Sequence, residues 1–160
     1  MTPARSLSLA ALALLLLASP VRAQQAGEWV RGQAKNIDYA NMQAGIGDLF
    51  GFFCRKVDNK YVGGIAMKMP IFHTLVRDEQ QYSLNIVIDG ARDSLTLRAK
   101  DIELWFEAND LSQQLTLSRL FEEISASHQL EMGISSINWR GSYTYDNAAE
   151  ALAGLMDKCL

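Results

Sequence analysis

Apolar and polar positions alternate most cleanly in the middle of the chain. Leu84, Ile86 and Ile88 alternate with Ser83, Asn85 and Val87, and Leu95, Leu97 and Ala99 resume the period after Asp89-Gly90. A period of two on either side of an Asp-Gly turn signal predicts a β-hairpin. Asp101 breaks the run, and Ile102, Leu104 and Phe106 then alternate with Glu103, Trp105 and Glu107. This predicts a third strand, antiparallel to its neighbour, with one dry and one wet face. Two apolar stretches, Leu49 to Arg55 and Tyr61 to Met69, flank Asp58-Asn59-Lys60 and predict another hairpin, while Gln129 to Ile134 and Ile137 to Tyr145 are two further strand candidates.

The period changes in two places. Leu117, Leu120, Phe121 and Ile124 fall at i, i+3, i+4 and i+7 opposite Arg119, Glu122 and Glu123, the stripe of a helix lying on a sheet, with Thr116 as its expected N-cap. A final helix is expected near Asp146, with Asn147 and Glu150 spaced as a capping box and Ala148, Leu152, Leu155, Met156 and Cys159 on its inner side. Between Gln24 and Asp48, Trp29 and Val30 look strand-like, but Asn36, Asn41, Gly45 and Gly47 suggest an irregular, partly ordered lead-in. Pro70 ends an apolar run, and Arg77 to Gln81 reads as an exposed connection. The expected class is α+β: an antiparallel sheet of six or seven strands with two helices and one disulfide.

The first residues carry an address. Ten apolar residues, Leu9 to Ala18, follow Arg5 and precede Pro20 and Val21-Arg22-Ala23. That is the layout of a cleaved signal peptide over residues 1–23, too short for a bilayer crossing, which leaves one domain at 24–160 in the periplasm or secreted, with no transmembrane anchor. Removing Arg5 and Arg22 leaves 13 basic against 18 acidic residues, a net charge of about −5. With no basic stripe, nucleic acid and anionic membrane surfaces are poor partners. Cys54 and Cys159 are the only cysteines, and in an oxidising compartment they are expected to pair, joining the end of the chain to its first part.

Catalytic signatures are absent from the sequence: no G-x-S-x-G, H-E-x-x-H or glycine-rich phosphate loop occurs, so a non-enzymatic protein without a cofactor is expected. His128 with Ser125 or Ser127, and the carboxylates Asp101, Glu103, Glu107 and Asp110, leave a small hydrolase as the third reading. Met67, Met69 and His73 place two thioethers and an imidazole close together, a soft set suited to Cu(I). The same alternation also places Met67 and Met69 in the core, where methionine fills irregular gaps. The parity that sends Leu104 and Phe106 inward sends Trp105 outward, between Glu103 and Glu107. An outward tryptophan either anchors a partner, grips a sugar ring, or lies under a second layer.

The order of these features resembles small periplasmic proteins of proteobacteria. The features are a signal peptide, Trp29, a strand ending in Cys54, the Val87-Ile88-Asp89-Gly90 hairpin, a late aromatic strand and the closing Ala148 to Cys159 helix. The chain is similar in this sense to the invasion-associated locus B-like proteins and to periplasmic accessory proteins of type VI secretion clusters, although it lacks the extra N-terminal cysteine of the former. The resemblance implies a binding or assembly factor whose partner is an envelope or secreted protein. It carries no residue-level chemistry.

Overall fold

The computed structural model describes residues 25–160 apart from 45 and 46; the expected signal peptide and Gly45 lie outside the described residues. Among the described residues nine strands form one closed barrel: β1 (Gln25–Ala34), β2 (Ile37–Ala44), β3 (Asp48–Val57), β4 (Lys60–Lys68), β5 (Gln81–Ile88), β6 (Ala91–Lys100), β7 (Glu103–Glu107), β8 (Gln129–Ile134) and β9 (Trp139–Tyr145). Their order around the wall is β1-β2-β3-β4-β7-β6-β5-β8-β9. Every neighbouring pair is antiparallel except the closing one, where Gln25 to Gly27 of β1 run parallel to Tyr143 to Tyr145 of β9.

Both predicted hairpins are present, with β3 and β4 joined through Asp58-Asn59, and β5 and β6 through Asp89-Gly90. Gly90 has the positive φ, 87°, that this turn needs. The expected six or seven strands are corrected to nine, because the lead-in is itself a hairpin, β1–β2. In β2 Ala40, Met42 and Ala44 alternate inward against Tyr39, Asn41 and Gln43, but two of the inward residues are alanine and the outward set includes a tyrosine, so the period is faint. Ile102 sits with Asp101 in the β6–β7 turn, both at positive φ, rather than in the strand.

Inside the barrel, Trp29 stacks on Phe52 at 6.2 Å and meets Phe50 and Tyr145 edge-on. The pairing directions put the ends of β1, β3, β5, β7 and β9 at one mouth. There α2 (Leu111–Ala126) and α3 (Ala148–Leu152) close the barrel, burying Leu117, Leu120, Ile124, Leu152, Leu155 and Met156. A Cβ on Gly63 of β4 would stand 2.6 Å from Met156 Cε and 3.0 Å from Leu117 Cδ2, so bare backbone there lets both segments seat. Cys54 of β3 is bonded to Cys159 at this mouth, as the sequence predicts. At the other mouth α1 (Phe72–Leu75), a third helix not expected from sequence, inserts Phe72 edge-on against Trp139.

Two expected caps are also corrected. The N-cap of α2 is Asp110, in a reciprocal capping box with Gln113, and Thr116 lies in mid-helix donating to the Ser112 carbonyl. Asn147 precedes α3 but makes no side-chain cap; its amide bonds the Trp29 N–H and carbonyl instead, both at 2.8 Å.

A candidate binding groove on the barrel wall

Inward residues of the wall fill the core, which leaves the outward residues of β2, β3, β4 and β7 to line a groove on the outside. Registers place them in three rows crossing the strands. Tyr39, Phe53, Gly64 and Glu107 form the first row, and Asn41, Gly51, Ala66 and Trp105 the second. Gln43, Leu49 and Lys68 form the third, with Glu103 reaching Lys68 Nζ at 3.3 Å.

The middle row is a groove because its centre has almost no side chain. Gly51 and Ala66 are the floor, Tyr39 and Phe53 flank one side, Leu49 and the stem of Lys68 the other, and Trp105 stands at one end. The groove encloses about 180 Å³, and its lining is mostly apolar. Gly51 cannot be filled in, since a Cβ there would collide with the Ala40 carbonyl and lie 2.8 Å from Asn41 Cα. Phe53 is 3% exposed although it faces outward. Its ring folds over Gly64, where a Cβ would strike it, and meets Trp105 edge-on at 5.2 Å. This aromatic pair is a small second core on the outer wall, and Trp105 remains half-buried.

Trp105, Glu103 and Glu107 do share the outer face, but the acids are not free. Glu107 pairs with Arg55 and Glu103 with Lys68. Such half-exposed pairs add little stability, but they leave the rim close to neutral. Sequence reasoning missed Phe53, Gly51, Ala66, Tyr39 and Asn41. The available signal was Phe52-Phe53, an adjacent aromatic pair in a strand of period two, which requires one ring on each face.

The other candidates are dispersed. Met67 and Met69 are buried, and Met69 Sδ lies 3.9 Å from the Tyr143 hydroxyl, while His73 is exposed on α1. No cluster of three or more His, Cys, Asp or Glu suited to a metal occurs among the described residues. Ser125 donates to the Phe121 carbonyl, Ser127 is held between Asp89 and Gln129, and His128 Nδ1 lies 3.2 Å from the Tyr145 carbonyl, so neither serine is bonded to the imidazole. Asp101 is in a turn and Asp110 caps α2, which separates them in role from Glu103 and Glu107.

At the far mouth, burial pushes the Asp48 carboxyl above its ordinary range, and the hydrogen bond from Tyr143 at 3.4 Å opposes that shift. Burial, reinforced by the Asp48 charge, raises the Tyr143 phenol strongly, and burial pushes Tyr145 up to about 12. No family model, curated protein or solved structure matches the chain. Among the described residues no helix is long and apolar enough to cross a membrane, and the disulfide is the kind of bond that persists in an oxidising, extracytoplasmic compartment.

Proposed function

We propose that this protein is a non-enzymatic binding or assembly factor of the bacterial envelope, acting through an apolar side chain of a partner protein seated in the groove beside Trp105. The groove itself carries the reading. At about 180 Å³ it is smaller than the roughly 300–1,000 Å³ of sites for drug-sized molecules and cofactors, and suits one large side chain. Its floor is rigid backbone and its end wall an aromatic already braced by Phe53, the setting in which a few residues dominate binding energy. The neutralised rim and mostly apolar lining favour an apolar anchor over a sugar, whose hydroxyls need several free polar partners. Resemblance to periplasmic accessory and invasion-associated proteins points to the same class of role.

The test begins with a photoreactive amino acid in place of Asn41 on the rim. Irradiation of intact envelopes is expected to give a discrete crosslinked species that is absent when the probe replaces Ser83 on β5. The partner identified in this way, purified and titrated, should bind the Trp105→Ala variant at least about 30-fold more weakly, the loss of a hot-spot residue. Equal crosslinking at both positions, or unchanged affinity of the folded variant, overturns the proposal.

A further inference from the structure

At the helix-capped mouth, α2 and α3 leave between them an open recess of about 380 Å³ with a mostly apolar lining. Phe121 and Leu152 are its fixed part. Leu152 is buried, and the half-buried Phe121 ring is held edge-on against Phe52 at 5.1 Å. Ala126, Ala149 and Ala153 also line it, exposed and with side chains too short to cover the rest. Ser125 adds little polarity, since its hydroxyl donates to the Phe121 carbonyl, and Arg31 of β1 bonds the Ala153 carbonyl at the side. The recess lies at the C-terminal end of α2, the negative end of the helix macrodipole, where a cation is the stabilising choice. The last turn of α2 carries none. Instead exposed Glu122 is part of the lining, Glu123 follows it, and exposed Glu150 adjoins Ala149. Among the described residues none of these three acids forms an ion pair, and Asp146 faces only His128, at 3.9 Å. Acids at the negative end of a helix, with no counter-charge, are a conflict of the kind found at functional surfaces.

We infer that the α2–α3 recess docks a basic amphipathic segment of a partner protein, one apolar side chain resting on Phe121 and Leu152 and flanking lysine or arginine residues meeting Glu122 and Glu150. Charge selects this occupant. The uncompensated carboxylates and the dipole of α2 attract a cationic segment and repel an acidic segment or an anionic lipid surface. Shape selects a segment over a small organic cation, because small-ligand sites enclose most of their ligand and this recess is open to solvent. Two helices with small residues between them instead offer the surface on which an amphipathic helix lays its apolar face. The recess is on the helical cap and the groove at Trp105 is on the barrel wall, so the two surfaces are separate and this inference does not depend on the groove.

The probe is a fluorescein-labelled amphipathic peptide with leucine on one helical face and lysine beside it, and a second peptide carries glutamate at every lysine position. Anisotropy titration of the exported protein at low salt is expected to show saturable binding of the lysine peptide near about 10 μM, weaker in about 0.5 M salt, and no binding of the glutamate peptide. Glu122→Lys should weaken binding at least about 10-fold while raising the thermal midpoint by about 1–3 °C, because a cation suits that helix end. Ala149→Leu fills the recess from an exposed position and should weaken binding similarly with little change in midpoint. Trp105→Ala should bind the peptide like the native protein. Absence of saturable binding, equal binding of the two peptides, or unchanged affinity in both recess variants overturns the inference. Displacement of the peptide by n-butylammonium at equal concentration also overturns it, in favour of a free cation. Should either recess variant lose its native near-ultraviolet dichroism, Glu122→Gln with Glu150→Gln replaces it, and full affinity there overturns the inference.

Discussion

The pair Phe53 and Trp105 separates support from recognition, and a double-mutant cycle measures the division. Truncating a fully buried aromatic to alanine costs about 3–5 kcal/mol. Phe53 at 3% exposure belongs to that class, so Phe53→Ala should cost about 3.5 kcal/mol, whereas half-buried Trp105 should lose about 2 kcal/mol. Part of each figure is their shared edge-to-face contact, so the double variant should fall short of the sum by about 1 kcal/mol. With about 2.1 cal/mol/K of unfolding entropy per residue over roughly 137 residues, 2 kcal/mol corresponds to about 7 °C and 3.5 kcal/mol to about 12 °C. Urea titration followed by near-ultraviolet dichroism, with calorimetry for the midpoints, measures all four corners. At temperatures where each variant is folded, Trp105→Ala should show the larger loss of partner affinity and the smaller loss of stability. Phe53→Ala costing less stability than Trp105→Ala, or a coupling near zero, would refute the second-core geometry and with it the braced wall of the groove.

Three further outcomes are expected. Reduction of Cys54–Cys159 opens a loop of 105 residues, which in the chain-entropy model costs about 4–5 kcal/mol, so calorimetry of reduced against oxidised protein should show a midpoint lower by roughly 15 °C; a shift under about 5 °C would mean that apolar packing alone seats the C-terminus. Asp48→Asn should raise the midpoint slightly at pH 7, because the folded state disfavours the buried charge as pH rises above the unfolded value of 3.8. The gain should vanish near pH 3, where both states are protonated, and an equal gain at both pH values would reject burial as its cause. In alkaline titration followed by phenolate absorbance, Tyr143 and Tyr145 should stay protonated well above the ordinary 10, with stability falling as pH rises past that unfolded value toward 12. Five tyrosines ionising together near pH 10 in folded protein would contradict their burial.

Strands were legible where side chains of opposite character alternate beside a turn signal, as in β5–β6, and where charge interrupts an apolar run, as in β3–β4. In β1–β2 the period is blurred, because Val30 and Tyr39 are apolar on the outer face while Arg31 and Gln33 share the parity of buried Trp29, so the lead-in conceals two strands. Helix α2 was recognised by Leu117, Leu120 and Ile124 but not by its start, since Leu111 and Leu115 are 71% and 64% exposed and blur the stripe. Spacing makes the Asn147 amide a cap, because sequence cannot show that a strand 118 positions away competes for it. Closure was invisible for the same reason, as three parallel residue pairs between the two ends of the domain leave no local trace. At the groove, parity revealed Trp105 and its acids, whereas the floor and braces depend on register between four strands.

The short parallel seam between β1 and β9 sets the order in which the molecule can be completed. The first described strand is synthesised long before its closing partner, and Cys54 waits equally long for Cys159. The seam cannot form before residues 143–145 have been released, nor the disulfide before Cys159, so until then the N-terminal hairpin has no closing partner. Completion is therefore a test of length: a chain broken off before Trp139 lacks β9, the Asn147 clamp and the second cysteine together. Such a fragment would leave the β9-facing edge of β1 unsealed.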